Sequence, residues 1–161
     1  MTIFMTLLGI AALVAVDQMV KFWTISVLKD IGTIPLIPDV FQLTYVENRG
    51  AAFSILQNQQ WLFILIAVAF LIGIAVVLRR GYVQTMLGKF ALLLVCAGAI
   101  GNVLDRIFRH FVVDMLYFSL IDFPVFNVAD IYVCVGVALF CFYLLFQHKD
   151  KEEPSEKENQ V

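Results

Sequence analysis

Asp17, Asp105, Asp114 and Asp130 stand within or at the edges of apolar stretches, accompanied by Lys21, Arg106, Asn48, Asn102 and Asn127. A charged side chain at mid-membrane costs on the order of 2.5–3.5 kcal/mol even on a lenient insertion scale, so such groups need partners and usually a task. Carboxyls in these surroundings can trade protons with water or a substrate, relay protons along a transport path, or pair with cations. Other catalytic chemistries are poorly represented. Ser26, Ser54 and Ser119 have no neighbouring His or Lys in a recognisable arrangement, and His110 and His148 lie far apart without an HExxH pattern. His110 reads as a loop or interfacial residue. Cys96, Cys134 and Cys141 each sit in an apolar run, with no CxxC, and read as small packing residues. No metal, cofactor or disulfide framework is expected.

The elements that must carry these residues are membrane spans. Of 161 residues, 61% are hydrophobic and 15% charged, against roughly 45–50% and 25% in an ordinary soluble domain. The excess gathers into long runs, which makes lipid the expected solvent. A net charge of −2 and the lack of a dense basic stretch argue against nucleic acid as a partner. Spans are expected over about 3–28, 61–78, 86–104 and 128–147. The fold class is therefore an all-α polytopic membrane protein. Residues 1–148 form a single membrane domain, and 149–161 a charged, disordered cytoplasmic tail. A cleaved signal peptide is the competing reading of the first span, but it lacks a basic start and a convincing cleavage site.

Arg79, Arg80, Lys89, Lys149 and Lys151 place the 79–89 loop and both termini in the cytoplasm, against a weaker opposing set of Lys29, Arg49, Arg106 and Arg109. Between spans one and two, residues 40–46 alternate in part at period two and predict a strand. Asn48-Arg49-Gly50 supplies a turn, and 51–56 a returning strand. A small β element on one membrane face follows.

Antiparallel spans bring the ends of spans one and three beside the starts of two and four. Asp17, Lys21, Asn102, Asp105, Arg106, Asn127 and Asp130 then converge on one side, with Asn48, Arg49 and Asp114 in the two loops there. Each also has a purely structural reading. Asp17 and Lys21, four apart, form an ion pair on one helix face. The small residues of Gly98-Ala99-Ile100-Gly101 let helices approach closely. Arg106 either grips a carboxylate or lipid phosphate, or complements a helix C-terminus. Asn127 and Asp130 have the spacing of an N-cap and its N3 partner. Asp114 reads as an interfacial loop residue.

Taken in order, Asp17…Lys21, Asn48-Arg49-Gly50-Ala51-Ala52-Phe53, Gly101-Asn102-Val103-Leu104-Asp105-Arg106, Val112-Val113-Asp114 and Phe126-Asn127-Val128-Ala129-Asp130 resemble the lipoprotein signal peptidases (signal peptidase II). The similarity covers nearly the whole chain and spares only the tail. Met115 stands where that family often has Phe, and is expected to line the pocket; Arg49 is assigned nothing. The resemblance implies four transmembrane helices with a small extracytoplasmic β-cradle and a lid loop. It implies Asp114 and Asp130 as the catalytic pair, with Asp17, Lys21, Asn48, Gly98, Asn102, Arg106, Asn127 and Ala129 in supporting positions. The substrate it implies is a prolipoprotein drawn from membrane lipid and cut on the N-terminal side of a diacylglyceryl-modified cysteine. It further implies a monomer in the bacterial cytoplasmic membrane, its site near the extracytoplasmic surface, inhibited by globomycin-type cyclic peptides.

Two carboxyls held close cannot easily both ionise, so one takes a proton from water while the other, protonated, hydrogen-bonds the scissile carbonyl. The sequence leaves open which is which. A small ion-coupled transporter would instead place its acids near the midplane among broken helices. A non-enzymatic assembly or lipid-binding factor would tolerate asparagine at both positions.

Overall fold

Leucine, isoleucine, valine and phenylalanine fill four helices long and apolar enough to cross a membrane: α1 Ile3–Ile31, α2 Gln60–Arg79, α3 Met86–Phe108 and α4 Val128–Phe146. A three-stranded antiparallel sheet accompanies them, in the order β1 (Thr33–Ile37), β2 (Phe41–Asn48), β3 (Val112–Tyr117). This computed structural model describes residues 3–50 and 56–147. The expected tail at 149–161 lies outside the described residues, as do residues 51–55 of the expected returning strand; Leu56 sits in a turn.

All four expected spans are present, and two run longer than their apolar cores. α1 continues through a π-helical stretch at Thr24–Leu28, where the Thr24 hydroxyl donates to the Val20 carbonyl at 2.9 Å. It stops at Gly32, whose φ of 89° lies where a side chain is strained. α3 reaches Phe108 because Asp105 and Arg106 find partners inside the protein, so they do not end the helix.

Two polar positions need correction. Asp114 lies within β3 and Asn48 ends β2; neither is in a loop. β1 was hidden because Pro35 breaks any alternation, which an edge strand tolerates. β3 was hidden because its apolar run shows no alternation. Its neighbours Val113 and Met115 pack with Leu28 of α1, while Val112 and Asp114 line a cavity on the other face. Met115 is therefore a core residue, 1% exposed, and does not line the pocket as expected.

The helices meet through small residues. α3 is the central helix, buried from Ala91 through Gly98, whereas α2 shows most of its surface outward. A Cβ built on Gly98 would come within 2.3 Å of the Ala129 carbonyl oxygen and 2.7 Å of Val133 Cγ2. On the facing helix, one at Gly136 would come within 2.7 Å of the Ala91 carbonyl oxygen. This seam brings the start of α4 against α3. Gly98→Ala should therefore lower stability by about 1–3 kcal/mol, the cost of overpacking. Thermal unfolding in detergent checks this, with Gly73→Ala, whose Cβ meets nothing within 4 Å, leaving the midpoint unchanged.

Candidate active site

Two pins set the start of α4 beside β3. Phe126 pairs with Leu116, donating to its carbonyl at 3.0 Å and accepting its N–H at 2.8 Å. The next residue, Asn127, caps α4. Its Oδ1 accepts the Asp130 N–H at 3.0 Å while Asp130 Oδ2 accepts the Asn127 N–H at 3.2 Å, a reciprocal capping box. Asp130 is thus fixed in the first turn of a helix, where unpaired N–H groups and the macrodipole favour an anion.

Below this turn lies a buried cluster of charge. Lys21 Nζ is 3.0 Å from both Asp17 Oδ2 and Asp105 Oδ2, and donates to Asn102 Oδ1 at 2.9 Å. Lys21, Asp17 and Asp105 are wholly buried. Arg109 donates to Asp105 Oδ1 and, at 2.9 Å, to Gln18 Oε1, so two cations face two carboxylates. The cluster also grips backbone. Asp17 Oδ1 accepts the Ala129 N–H at 3.0 Å, and Asp105 Oδ2 accepts the Val113 N–H at 3.1 Å, one residue before Asp114.

Two carboxamides carry this order upward to the carboxyls. Asn102, its oxygen held by Lys21, turns its Nδ2 toward Asp130 Oδ1 at 2.8 Å. Asn127 donates to Asp114 Oδ1 at 2.6 Å and to Asn102 Oδ1 at 3.2 Å. Asn48, from β2, donates to the other Asp114 oxygen at 2.8 Å. One residue, Asn127, therefore holds Asp114 through its amide and Asp130 through its cap.

Asp114 and Asp130 line one cavity of about 630 Å³, together with Asn48, Asn102, Arg106 and an apolar wall that includes Phe123, Phe126 and Ile131. Arg106 donates to the Asn102 carbonyl at 3.2 Å and to the Gly50 carbonyl at 3.4 Å, with its guanidinium 4.9 Å over the Phe63 ring. Asp114 is 2% exposed. Burial first, and then the negative charge of Asp130, push its carboxyl up to about 7, although Asn48, Asn127 and Lys21 favour the anion.

All the residues singled out in the sequence as site candidates fall in this region, directly or one contact away. Asp114, Asp130, Asn48, Asn102 and Arg106 line the cavity, Asn127 joins the two carboxyls, and Asp17 and Lys21 lie beneath. Gly98 and Ala129 form the close helix contact that brings Asp130 in. Asp105, Gln18 and Arg109 were given no role in the sequence, yet they complete the buried cluster. The i, i+4 spacing of Asp105 and Arg109 was the available signal. His110, at φ 63°, occupies an exposed turn after α3.

Comparison with known proteins agrees across nearly the full length. A family model for signal peptidase (SPase) II matches residues 9–146. A lipoprotein signal peptidase of Clostridioides difficile (strain 630) is 44% identical over 144 residues, covering 87% of this chain and 94% of that one. Another, from Streptococcus pyogenes serotype M5, is 44% identical over 138 residues, covering 85% and 90%. A bacterial membrane enzyme solved by the in meso method at 2.3 Å superposes with a TM-score of 0.85 at 30% identity, covering 96% of both chains. With four membrane helices, a small sheet and these relatives, the chain belongs to the signal peptidase II family and is a multi-pass membrane protease.

Proposed function

We propose that this protein is an aspartic endopeptidase that removes the signal peptide from prolipoproteins, with Asp114 and Asp130 as its catalytic pair. The observation that carries this reading is the convergence of two carboxyls on one cavity, with Asn127 bonded to both residues. Their surroundings differ in a useful way. Asp114 holds a proton near neutral pH and can donate it to the oxygen of a scissile carbonyl. Asp130, at a helix N-terminus and facing the Asn102 amide, is the member that takes a proton from water. The resulting hydroxide adds to the carbonyl carbon; the tetrahedral intermediate collapses as the amine leaves with the proton held by Asp130 and the re-forming carbonyl returns its proton to Asp114.

The bond cut is the one preceding a diacylglyceryl-modified cysteine. Acyl chains hold such a cysteine at the membrane surface, and Asp130 in the first turn of α4 and Asp114 on the adjoining strand suit a bond held there. Arg79, Arg80 and Lys89 lie at the opposite end of the bundle, which supports a site at the extracytoplasmic face of a bacterial cytoplasmic membrane. The Lys21 cluster and the two carboxamides serve as positioning groups. An ion-coupled transporter is the weaker alternative, since Asp105 and Asp130 lie in the end turns of their helices and Asp114 on a strand beside them.

Cleavage of a diacylglyceryl-modified lipobox peptide tests this directly. Asp114→Asn and Asp130→Asn should each lose at least about 10²-fold in kcat, while circular dichroism and gel filtration remain those of the parent protein. Cleavage at the parent rate by either variant would rule out the pair. A second test uses pH. Activity needs Asp114 protonated, so kcat/KM should fall as pH rises through about 7. The Asn48 hydrogen bond favours the Asp114 anion, so Asn48→Ala raises the carboxyl further and should move the alkaline limb to higher pH. A shift to lower pH would remove Asp114 from the role of proton holder.

A further inference from the structure

Arg49, the member of the Asn48-Arg49-Gly50 turn still without a role, stands just past the end of β2, beside the site. Side chains alternate along the strand, so Asn48 faces Asp114 while Tyr45 and Glu47 face the other way. Arg49 folds back onto that outer side. Its Nη2 donates to Glu47 Oε2 at 2.9 Å, and its guanidinium lies 5.3 Å over the ring of Phe111, which leads into β3. The Tyr45 hydroxyl donates to the other Glu47 oxygen at 2.9 Å. One guanidinium therefore ties β2 to β3 at Asn48 and Val112, the last pair of their register.

The peptide after Arg49 is held as well. Its carbonyl accepts the Asn58 N–H at 2.8 Å and Gln60 Nε2 at 2.7 Å, where α2 begins. A trans peptide points its C=O and the following N–H in opposite directions, so the Gly50 N–H is turned back toward β2. It meets Asn48 Oδ1 at 3.0 Å. With its oxygen taken, the Asn48 carboxamide offers its Nδ2 to Asp114, at 2.8 Å. Turned over, the same amide would accept a hydrogen bond from a protonated Asp114 and favour the neutral carboxyl. Which way Asn48 faces is thus decided outside the cavity.

We propose that Arg49 is a positioning residue for the reaction: clamped by Glu47 and Phe111, it holds the Asn48 carboxamide as a donor to Asp114. The inference rests on the peptidase reading above and adds to it a residue that touches neither carboxyl of the pair. The Arg49 and Glu47 side chains are 50% and 31% exposed, and an exposed ion pair contributes little to stability. Removing the clamp should therefore disturb orientation and leave folding intact. Arg49 first, and then Tyr45, hold the Glu47 carboxyl below its usual range, so the pair stays charged near pH 7, where Asp114 titrates. Lys29, 3.9 Å from Glu47 Oε1, and Arg109, which acts on Tyr45, are the other cations facing the pair. Asp114 itself faces Asp130 of α4, Lys21 of α1 and Arg106 of α3.

The pH profile of kcat/KM on a diacylglyceryl lipobox peptide, measured with the full-length enzyme in detergent, reads this role. Arg49→Ala frees the Asn48 amide, so the alkaline limb should move up by about half a pH unit and kcat should fall about threefold. Glu47→Ala should do the same, and the double variant no more than either alone. The sign separates position from charge. A pure field effect would raise the limb when the cation is removed and lower it when the anion is removed. Lys29→Ala takes a cation from the same carboxylate but leaves Arg49 in place, and should leave the limb where it stands. Independently of cleavage, exchange of the Gly50 amide, followed by NMR, should quicken about fivefold in both single variants at the clamp. An unmoved limb in Arg49→Ala, opposite shifts in Arg49→Ala and Glu47→Ala, shifts that add in the double variant, an equal shift in Lys29→Ala, or unchanged Gly50 exchange would each overturn the inference. A parent enzyme that leaves the peptide uncut would instead bring down the peptidase reading.

Discussion

The Lys21 ammonium is the constraint on which the polar interior depends. It carries three protons, and three acceptors from α1 and α3 take them, the two carboxylates among them wholly buried. Removing one partner from a buried ion pair typically costs about 3–5 kcal/mol, because the charge left behind has neither water nor a counter-ion. Each acceptor also leads elsewhere. The second oxygen of Asp17 ties down the first turn of α4, Asp105 ties down the backbone next to Asp114, and Asn102 faces Asp130. One cation therefore fixes the strand bearing one carboxyl and the helix bearing the other.

Much of this was legible in the sequence because membrane spans announce themselves. An uncharged apolar run of sufficient length has few alternatives, and the polar residues interrupting it are conspicuous. Asn127 and Asp130 even declared their capping relation by spacing. The sheet was less readable. β3 is covered in part on both faces, so Val112, Val113 and Met115 give no alternation to set against Asp114. The roles of Asp105 and Arg109 were hidden for another reason. An acid and a base four apart near a helix end look like an exposed pair, and only the fold shows that Lys21 arrives from α1 to share the acid. Long-range partnership is the part of a site that local pattern does not encode.

The two carboxyls illustrate how environment divides identical groups. Asp114 sits on a strand, buried, and receives only neutral amide donors, one on each oxygen. Asp130 sits at a helix start, more open to the cavity, with a backbone N–H and an oriented amide on its oxygens. Burial raises the cost of charge on the first, whereas the second meets the N–H groups of a helix start. Asn127 couples them, since any movement of the cap that shifts Asp130 also pulls on Asp114.

That coupling explains why the capping box uses Asp where Glu is more usual. At position 130 the side chain must do two things at once: reach back to the Asn127 N–H and present its other oxygen to Asn102 and the cavity. A Glu, one methylene longer, could still reach back to the cap. Its carboxyl would then stand farther from the helix start, away from the Asn102 amide that Lys21 holds in place. The shorter acid keeps helix capping and the contact with Asn102 on a single rigid group, so the stability of α4 and the geometry of the site depend on the same two oxygens.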